Sequence, residues 1–494
     1  MSECLTRRQL LAGIAAGGSL PSLSTYVGRA VAQTTPELSG TSSTEIAVIG
    51  AGYAGLACAR ALAQAGRDVM LLEARNRVGG RCFNQTLPAP YSQYVVEGGA
   101  EFIGPTQDRM YALAQELGIT TFGVYNSGNT VNYAKGSRST YSGRIPPGDP
   151  MAAAESALAM VRLNSMAEQI PLESPWNAPQ AARWDAQTFQ TWMDANLIGN
   201  GANNLMRLAI ISLFSAEPRE LSLLYVLFYI RSAGNLDLLL NTQGGAQQDR
   251  IVGGSQVIAL GLAQQLGERI RFNAPVSSIA QNGSSVTVTG PGFSVHAQHV
   301  VIAMSPWMAG RLHYAPLDNP TQARLQLMQR MPLGSIWKVH CIYPTPFWRD
   351  AGLNGQVTSD SFLPKVTFDG TPPEAGAPGV MMGFIDGQDA RDALAMTPEA
   401  RKQAVIQAFV TYFGDQAANP VGYLEMNWQA EEYSAGGPTG TLPPGVLTAY
   451  TSALRNPIGR LHWAGTETAE IWTGYMEGAV RSGERAAQEV LAAL

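Results

Sequence analysis

The chain has 494 residues, a net charge of −5, 14% charged residues and 45% hydrophobic ones. This balance suits a folded chain with a sizeable core, and without a basic stripe nucleic acid is excluded as an expected partner. Of the four cysteines, Cys4 falls in a leader, while Cys58, Cys82 and Cys341 show no metal-ligand spacing; burial as small apolar side chains is expected, with no disulfide framework and no metal.

Residues 1–32 read as an export signal. Thr6-Arg7-Arg8-Gln9-Leu10-Leu11 is a twin-arginine pattern, a weakly apolar stretch covers 10–20, and Ala30-Val31-Ala32 is a small-residue cleavage site. The apolar stretch is shorter than the ~20 residues a membrane span needs. The expectation is twin-arginine export, which delivers a folded, cofactor-loaded protein to the periplasm or beyond. Residues 33–44 read as a polar linker, and the ~460 residues after the leader suffice for two or three domain-sized units.

The stretch 45–81 organises the rest. Ile46 to Ile49 reads as a buried strand that ends at glycine. Gly50, Gly52 and Gly55 follow in GxGxxG spacing: the first permits a tight turn, the second lets backbone approach a pyrophosphate, and the third lets helix pack on strand. Residues 53–65 turn alanine-rich and helical, so the N–H groups of that helix's first turn, Ala54 among them, face phosphate. A second strand at 69–72 ends in Glu73, whose carboxylate can accept hydrogen bonds from ribose hydroxyls. That acid disfavours a 2′-phosphate and hence NADP.

Glu73-Ala74-Arg75-Asn76-Arg77-Val78-Gly79-Gly80-Arg81 resembles the second signature of the flavin amine oxidase family, whose nucleotide is FAD. Arginines at this spacing can reach a diphosphate, and the paired glycines bring main chain close to a cofactor. A double glycine recurs in Val95-Val96-Glu97-Gly98-Gly99-Ala100-Glu101-Phe102-Ile103-Gly104-Pro105, with one residue more before Gly-Pro than the monoamine oxidase pattern has. A helix is expected over 107–117.

Residues 122–249 change character, with helical periodicity at 152–169, 189–196, 203–214 and 221–233. Residues 223–230 are apolar on every face, which predicts a buried helix. The turn-rich 241–247 is expected to line a pocket. Arg250-Ile251-Val252-Gly253-Gly254-Ser255 then leads into a helix through 266, a strand at 269–272, another opening at Pro275-Val276, and a third apolar strand at 299–304. Residues 328–430 mix strand and helix. In Ile336-Trp337-Lys338-Val339-His340-Cys341, alternation places Ile336, Lys338, His340 and Ile342 on one strand face, where a lysine is costly unless solvated. The expected fold is α/β: a Rossmann-like FAD-binding domain assembled from 45–121, 250–327 and 431–494, with a discontinuous mixed α+β substrate domain from 122–249 and 328–430.

The C-terminal segment Leu461-His462-Trp463-Ala464-Gly465-Thr466-Glu467-Thr468, followed by Trp472-Thr473-Gly474-Tyr475-Met476-Glu477-Gly478, completes a resemblance to the flavin monoamine oxidases over nearly the whole chain. That resemblance implies FAD contacts at Gly99, Ala100, Val276, Gly465, Thr466, Glu467 and Met476, besides those already named. Tyr475 is implied as one ring of an aromatic cage over the flavin. Pro438 stands where the second ring would be, and Trp472, Trp428 or Tyr433 are the candidates to replace it. Lys338 is implied as the lysine that holds a water against the flavin and assists reoxidation. Leu213, Phe214, Gln247 and Trp428 fall in stretches resembling the pocket wall. Gly437 occupies the position of the cysteine that bonds covalently to flavin in the animal enzymes, so non-covalent FAD is expected. The membrane-anchoring tail of those enzymes is missing after Leu494, so no membrane anchor is expected; a homodimer is, because the family often dimerises.

The implied activity is two-electron oxidation of a primary or secondary amine to an imine that hydrolyses to aldehyde or ketone, with reoxidation by O2. Four rivals stay open. An L-amino-acid oxidase needs an arginine for the carboxylate and a polyamine oxidase needs acids along its tunnel. A dehydrogenase would pass electrons to a periplasmic carrier, and a scaffold would bind FAD without reacting.

Overall fold

The computed structural model describes residues 38–143, 146 and 150–494. The expected export signal and residues 33–37 of the expected linker lie outside them. Residues Gly40–Ser43, placed in the linker by sequence, instead form an edge strand parallel to Phe293–Ala297. An open sheet edge pairs with any extended backbone whatever its side chains, and these are mostly exposed.

The centre of the nucleotide-binding half is a five-stranded parallel sheet. Its order is Ile270–Arg271, Val69–Leu72, Ile46–Ile49, His299–Ala303 and Leu461–Ala464. Three separated segments of sequence therefore meet in one sheet. The middle strands are buried along their whole length, as expected when both faces are covered. Alternation divides the faces. Ile46 and Val48 pack with the helices Tyr53–Gln64, Gln256–Leu266 and Met476–Ala493, while Ala47 and Ile49 pack on a second sheet that contains Val286, Val288 and Val295.

The other half has two parts. A seven-stranded sheet runs in the order Gly422–Asn427, Ile336–Tyr343, Gly379–Asp386, Val366–Asp369, Leu353–Ser359, Asn129–Ala134 and Ser137–Tyr141. A helical cluster is built from Pro150–Ala167, Asn200–Phe214 and Leu223–Ala233. In the last of these every residue except Arg231 is buried, which is why its sequence is apolar on all faces. Leu442, Val446, Leu447 and Leu454 pack into this cluster, so part of the segment assigned to the nucleotide domain belongs with the helices. Apolar side chains at those positions have no other face to cover.

The two halves are joined by a three-stranded sheet in which Asp249–Ile251 pairs with both Phe102–Ile103 and Thr121–Gly123. The boundaries placed at 121/122 and 249/250 fall inside it. Among the described residues no helix is long and apolar enough to cross a membrane. Cys58, Cys82 and Cys341 are buried free thiols.

Candidate active site

A single cavity of about 1450 Å³ runs from the turn after the first nucleotide-domain strand to the loop before the last helix. That exceeds the roughly 1,000 Å³ upper range of a drug-sized pocket, leaving room for a dinucleotide and a substrate together. At one end lie Gly50, Gly52, Ala54 and Glu73. Gly52 caps the N-terminus of Tyr53–Gln64, no side chain satisfies that end, and no acid sits in its first turn. A Cβ placed on Gly52 meets no protein atom within 4 Å. The space in front of these amides is open, and their partial positive charge points into it. The third glycine of the motif, Gly55, does not line the cavity; its absent Cβ would lie 1.8 Å from the Gly50 carbonyl oxygen, so it lets the helix sit on the turn.

Glu73 is 3% exposed. Ala51 N–H donates to its Oε2 at 2.7 Å and Arg75 N–H to its Oε1 at 2.9 Å. Each carboxylate oxygen keeps a lone pair for a sugar hydroxyl. Arg75 and Arg81 line the cavity, but neither is an unpaired cation awaiting phosphate. Arg75 donates to Ser434 Oγ at 3.1 Å and lies 3.1 Å from Glu431. Arg81 forms a fork with Glu467, at 2.7 and 3.2 Å, and donates to the Pro438 carbonyl at 2.6 Å. Glu467, expected to touch the cofactor, is instead buried behind Arg81 and does not line the cavity. A carboxylate held in a bidentate clamp has its lone pairs already committed.

At the far end Gly99, Ala100, Gly437, Gly465, Thr466 and Met476 form the wall. Met476 begins the last helix, whose N-cap Tyr475 offers no side-chain cap; a second helix N-terminus thus faces the cavity. Trp428 lines it too, with its indole N–H donating to the Gly98 carbonyl at 2.8 Å. Tyr475 lines the cavity with its ring 5.9 Å from that of Tyr229, and Phe214 backs Tyr229 at 4.4 Å. Burial pushes the Tyr475 phenol well above its usual range.

Two expected site residues face away from the cavity. Trp472 is 1% exposed and turned away: its indole donates to Thr106 Oγ1 at 3.0 Å and its ring meets Tyr475 edge-on at 4.8 Å. It braces Tyr475 and does not replace the ring missing at Pro438. Phe214 is fully buried in the helical cluster, whereas its neighbour Leu213 lines the cavity, because adjacent helical residues point about 100° apart. Gln247 and Val276 line the cavity as expected. Tyr229 was not anticipated. Nothing distinguishes it from Tyr225 or Phe228 in an all-apolar helix except its packing against Gly474, where a Cβ would come within 2.7 Å of its ring.

Lys338 is the most constrained group. It is 1% exposed and lines the cavity, so its ammonium does not snorkel to the surface. Sequence reasoning provided only a water or the flavin to compensate it. The structure provides Glu101, whose Oε2 accepts from Lys338 Nζ at 2.5 Å, and the Gly99 carbonyl at 2.9 Å. Glu101 Oε1 lies 2.7 Å from Arg250 Nε, and Arg250 donates to Glu97 Oε2 at 2.6 Å. Burial raises the Glu97 carboxyl and the Arg250 charge opposes it. On the same face of the strand, burial pushes His340 well below its ordinary value, helped by the charges of Lys338 and Arg250. No local pattern in the sequence marks Glu101, whose partner Lys338 lies 237 residues away.

The fold and this cavity define a two-domain dinucleotide-binding oxidoreductase with its substrate chamber at the domain junction. The family model for flavin containing amine oxidoreductases matches residues 53–491. A putative flavin-containing monoamine oxidase, AofH, of Mycobacterium tuberculosis is 39% identical over 91% of this chain and 97% of its own. Amine oxidase [flavin-containing] A of Sus scrofa is 35% identical, over 91% and 85%. Among solved structures, putrescine oxidase bound to putrescine superposes with a TM-score of 0.87 at 31% identity, over 92% of this chain and 100% of its own. Cyclohexylamine oxidase from Brevibacterium oxydans superposes with 0.86 at 32%, over 91% and 99%. The chain belongs to the flavin-containing amine oxidoreductase family, and its cofactor is FAD. The residues present fit that cofactor: two helix N-termini without side-chain caps, a carboxylate oriented by the turn's own amide, and glycines where side chains would fill the space.

Proposed function

We propose that this chain oxidises an amine that carries no carboxylate, holding FAD non-covalently and returning its electrons to O2. The observation that carries the reading is the composition of the chamber beyond Tyr475. Its wall sets Leu205, Met206, Ala209, Leu213 and Leu239 beside uncharged polar side chains such as Asn164, Ser212 and Gln247, and Lys338, the cation at its ring end, is already neutralised by Glu101. A substrate carboxylate would find no free arginine there among the described residues, which argues against an amino-acid oxidase.

Bound FAD supplies a two-electron acceptor for the substrate's carbon–nitrogen bond. The protein does the rest. The helix starting at Tyr53 would hold the diphosphate, Glu73 the ribose, and the Gly99, Gly437 and Gly465 walls the ring system. The Tyr475 face attracts the amine and orients its α-carbon. Apolar walls favour the neutral amine over the ammonium, so the substrate arrives with its lone pair free and no general base is required. Lys338 Nζ has a third N–H beyond those given to Gly99 and Glu101, available to a water or oxygen at the ring end. Gly437 carries no nucleophile, which supports non-covalent binding.

Asp237, in the wall of the same lobe and bonded by Asn164 Nδ2 at 3.2 Å, favours a second reading in which the substrate carries a second ammonium. An anaerobic panel separates them: benzylamine-like monoamines, diamines and α-amino acids are mixed with holoenzyme while flavin bleaching is followed. Monoamines bleach fastest on the first reading and diamines on the second; bleaching by amino acids alone would overturn both. Oxygen consumption, measured against reduction of an artificial acceptor, tests the use of O2 over a periplasmic carrier. Export through residues 1–32 is part of the same proposal, supported by Arg7-Arg8 and Ala30-Val31-Ala32; an exported protein should begin at Gln33.

A further inference from the structure

The feature the activity leaves unexplained is the chain of four buried charges that ends at Lys338. Glu97, Arg250, Glu101 and Lys338 are each no more than 4% exposed, and they alternate in sign along the chain at separations of 2.6, 2.7 and 2.5 Å. Burying four charges is expensive, and a hydrophobic replacement of such a network is often neutral or stabilising. Stability is therefore a weak reason for it. Its position is more telling, because only the Lys338 and Glu101 end lines the cavity.

We propose that Glu101 is a positioning residue that fixes both the charge and the aim of Lys338 at the ring end of the cavity. This rests on the reading of Lys338 given above. Two N–H groups of the ammonium are consumed, by Gly99 O and Glu101 Oε2, which fixes the direction of the third. The Glu101 carboxylate is itself ion-paired with Arg250 at 2.7 Å, and Arg250 is held by Glu97, by the Thr371 carbonyl at 3.3 Å and by the Phe122 ring at 5.2 Å. The four charges sum to zero, so the cluster adds a directed donor without adding net charge beside the cofactor. Taking away Glu101 alone leaves two cations facing one carboxylate in a dry site, and burial then favours a neutral lysine.

The other groups around Lys338 do not supply a substitute counter-charge. The paired strands place Phe384 and Met426 opposite it, the Phe384 ring lies 5.5 Å from Nζ, burial pushes the nearby Cys82 thiol up so that it carries no counter-charge, and burial pushes His340 on its own strand well down. Glu425, on the neighbouring strand, is turned to the opposite face and engaged by Arg401. Asp369, which acts on Arg250 from farther off, is held by Arg349 and by the Trp348 indole.

The test uses holoenzyme of Glu101→Gln, Glu101→Asp and Lys338→Met. The first readout is the bound-flavin absorption spectrum followed from about pH 6 to about pH 10. Glu101→Gln is expected to show one ionisation that wild type lacks, that Lys338→Met abolishes in the double variant, and that Glu101→Asp, which keeps the charge, does not show. The second readout is flavin reoxidation by O2 in rapid mixing. In Glu101→Gln it should fall about 100-fold at the alkaline end, as expected for loss of one directed donor, and recover toward wild type at the acid end. The reductive half-reaction should change less than about threefold. Glu101→Asp serves as the charged control if Glu101→Gln folds poorly; a new ionisation in the aspartate variant would overturn the proposal. So would a Glu101→Gln spectrum and reoxidation rate that match wild type at every pH while Lys338→Met is slow. If Lys338→Met itself reoxidises like wild type, the reading of Lys338 fails first, and the proposal with it.

Discussion

Replacing Gly52 with valine separates cofactor binding from folding, because the structure makes opposite demands on neighbouring glycines. Gly52 has φ −74° and ψ 179°, extended backbone that any residue adopts, and a Cβ there touches no protein atom. Three residues on, a Cβ at Gly55 would stand 1.8 Å from the Gly50 carbonyl. The valine side chain therefore occupies only the space in front of the first helix's N-terminus. It denies a diphosphate at least two charge-assisted N–H contacts, each worth about 1.5–3 kcal/mol. The sum, about 3–6 kcal/mol, weakens FAD roughly 10²- to 10⁴-fold at about 1.4 kcal/mol per tenfold. The apoprotein should lose no more than about 1 kcal/mol, the cost of a poorer N-cap. Titrating stripped protein with FAD while following flavin fluorescence measures the first, and thermal unfolding of apoprotein the second. Gly52→Val binding FAD within threefold of wild type would refute the placement of the diphosphate. An apoprotein as damaged as Gly55→Val would refute the claim that this space is open.

Three further outcomes follow from the same geometry. Wild-type protein precipitated with acid should release all of its flavin, whereas Gly437→Cys, whose Cβ would sit an ordinary 3.4 Å from Ile336 Cγ2, should retain some; yellow wild-type precipitate would contradict non-covalent binding. Tyr475→Leu removes the aromatic face but keeps apolar bulk, so KM for the amine should rise several-fold, the value of roughly 1 kcal/mol of ring contact, with FAD content unchanged. His340 is neutral in the folded state and protonates when unfolded, so its contribution is present above about pH 6.5 and is lost as pH falls below it, by about 1.4 kcal/mol per unit. Between pH 7 and 5 wild type should therefore lose more stability than His340→Gln; equal slopes in denaturant melts would exclude His340 as the source.

What the sequence disclosed depended on the range of the interactions. The turn from Ile46 to Glu73 was legible because strand, glycines, helix and acid are set by local backbone demands within a short stretch. The buried helix Leu223–Ala233 was legible because uniform burial leaves no polar side chain to interrupt it. The pair Glu101–Lys338 was not, since its partners are 237 residues apart and each alone reads as an awkward charge. Neither was the choice between Leu213 and Phe214, nor the way Trp472 faces. Leu213 and Phe214 are both apolar, and only the packed structure decides which turns to the cavity; Trp472 turns from it to brace Tyr475. Glu467 was misread for a related reason: its motif position puts it near the cofactor, but Arg81, far away in sequence, claims both its oxygens.

Electron density for crystals of the yellow holoenzyme tests directly whether the dinucleotide runs from the Gly52 turn to the space between Trp428, Tyr475 and Lys338. The ribose is expected on Glu73, the diphosphate against the first turn of Tyr53–Gln64, and the isoalloxazine beside Gly99 and Gly437 with Lys338 Nζ at its edge. A flavin ring lying anywhere else in the cavity, or a diphosphate held by Arg75 and Arg81 away from that helix, would contradict it.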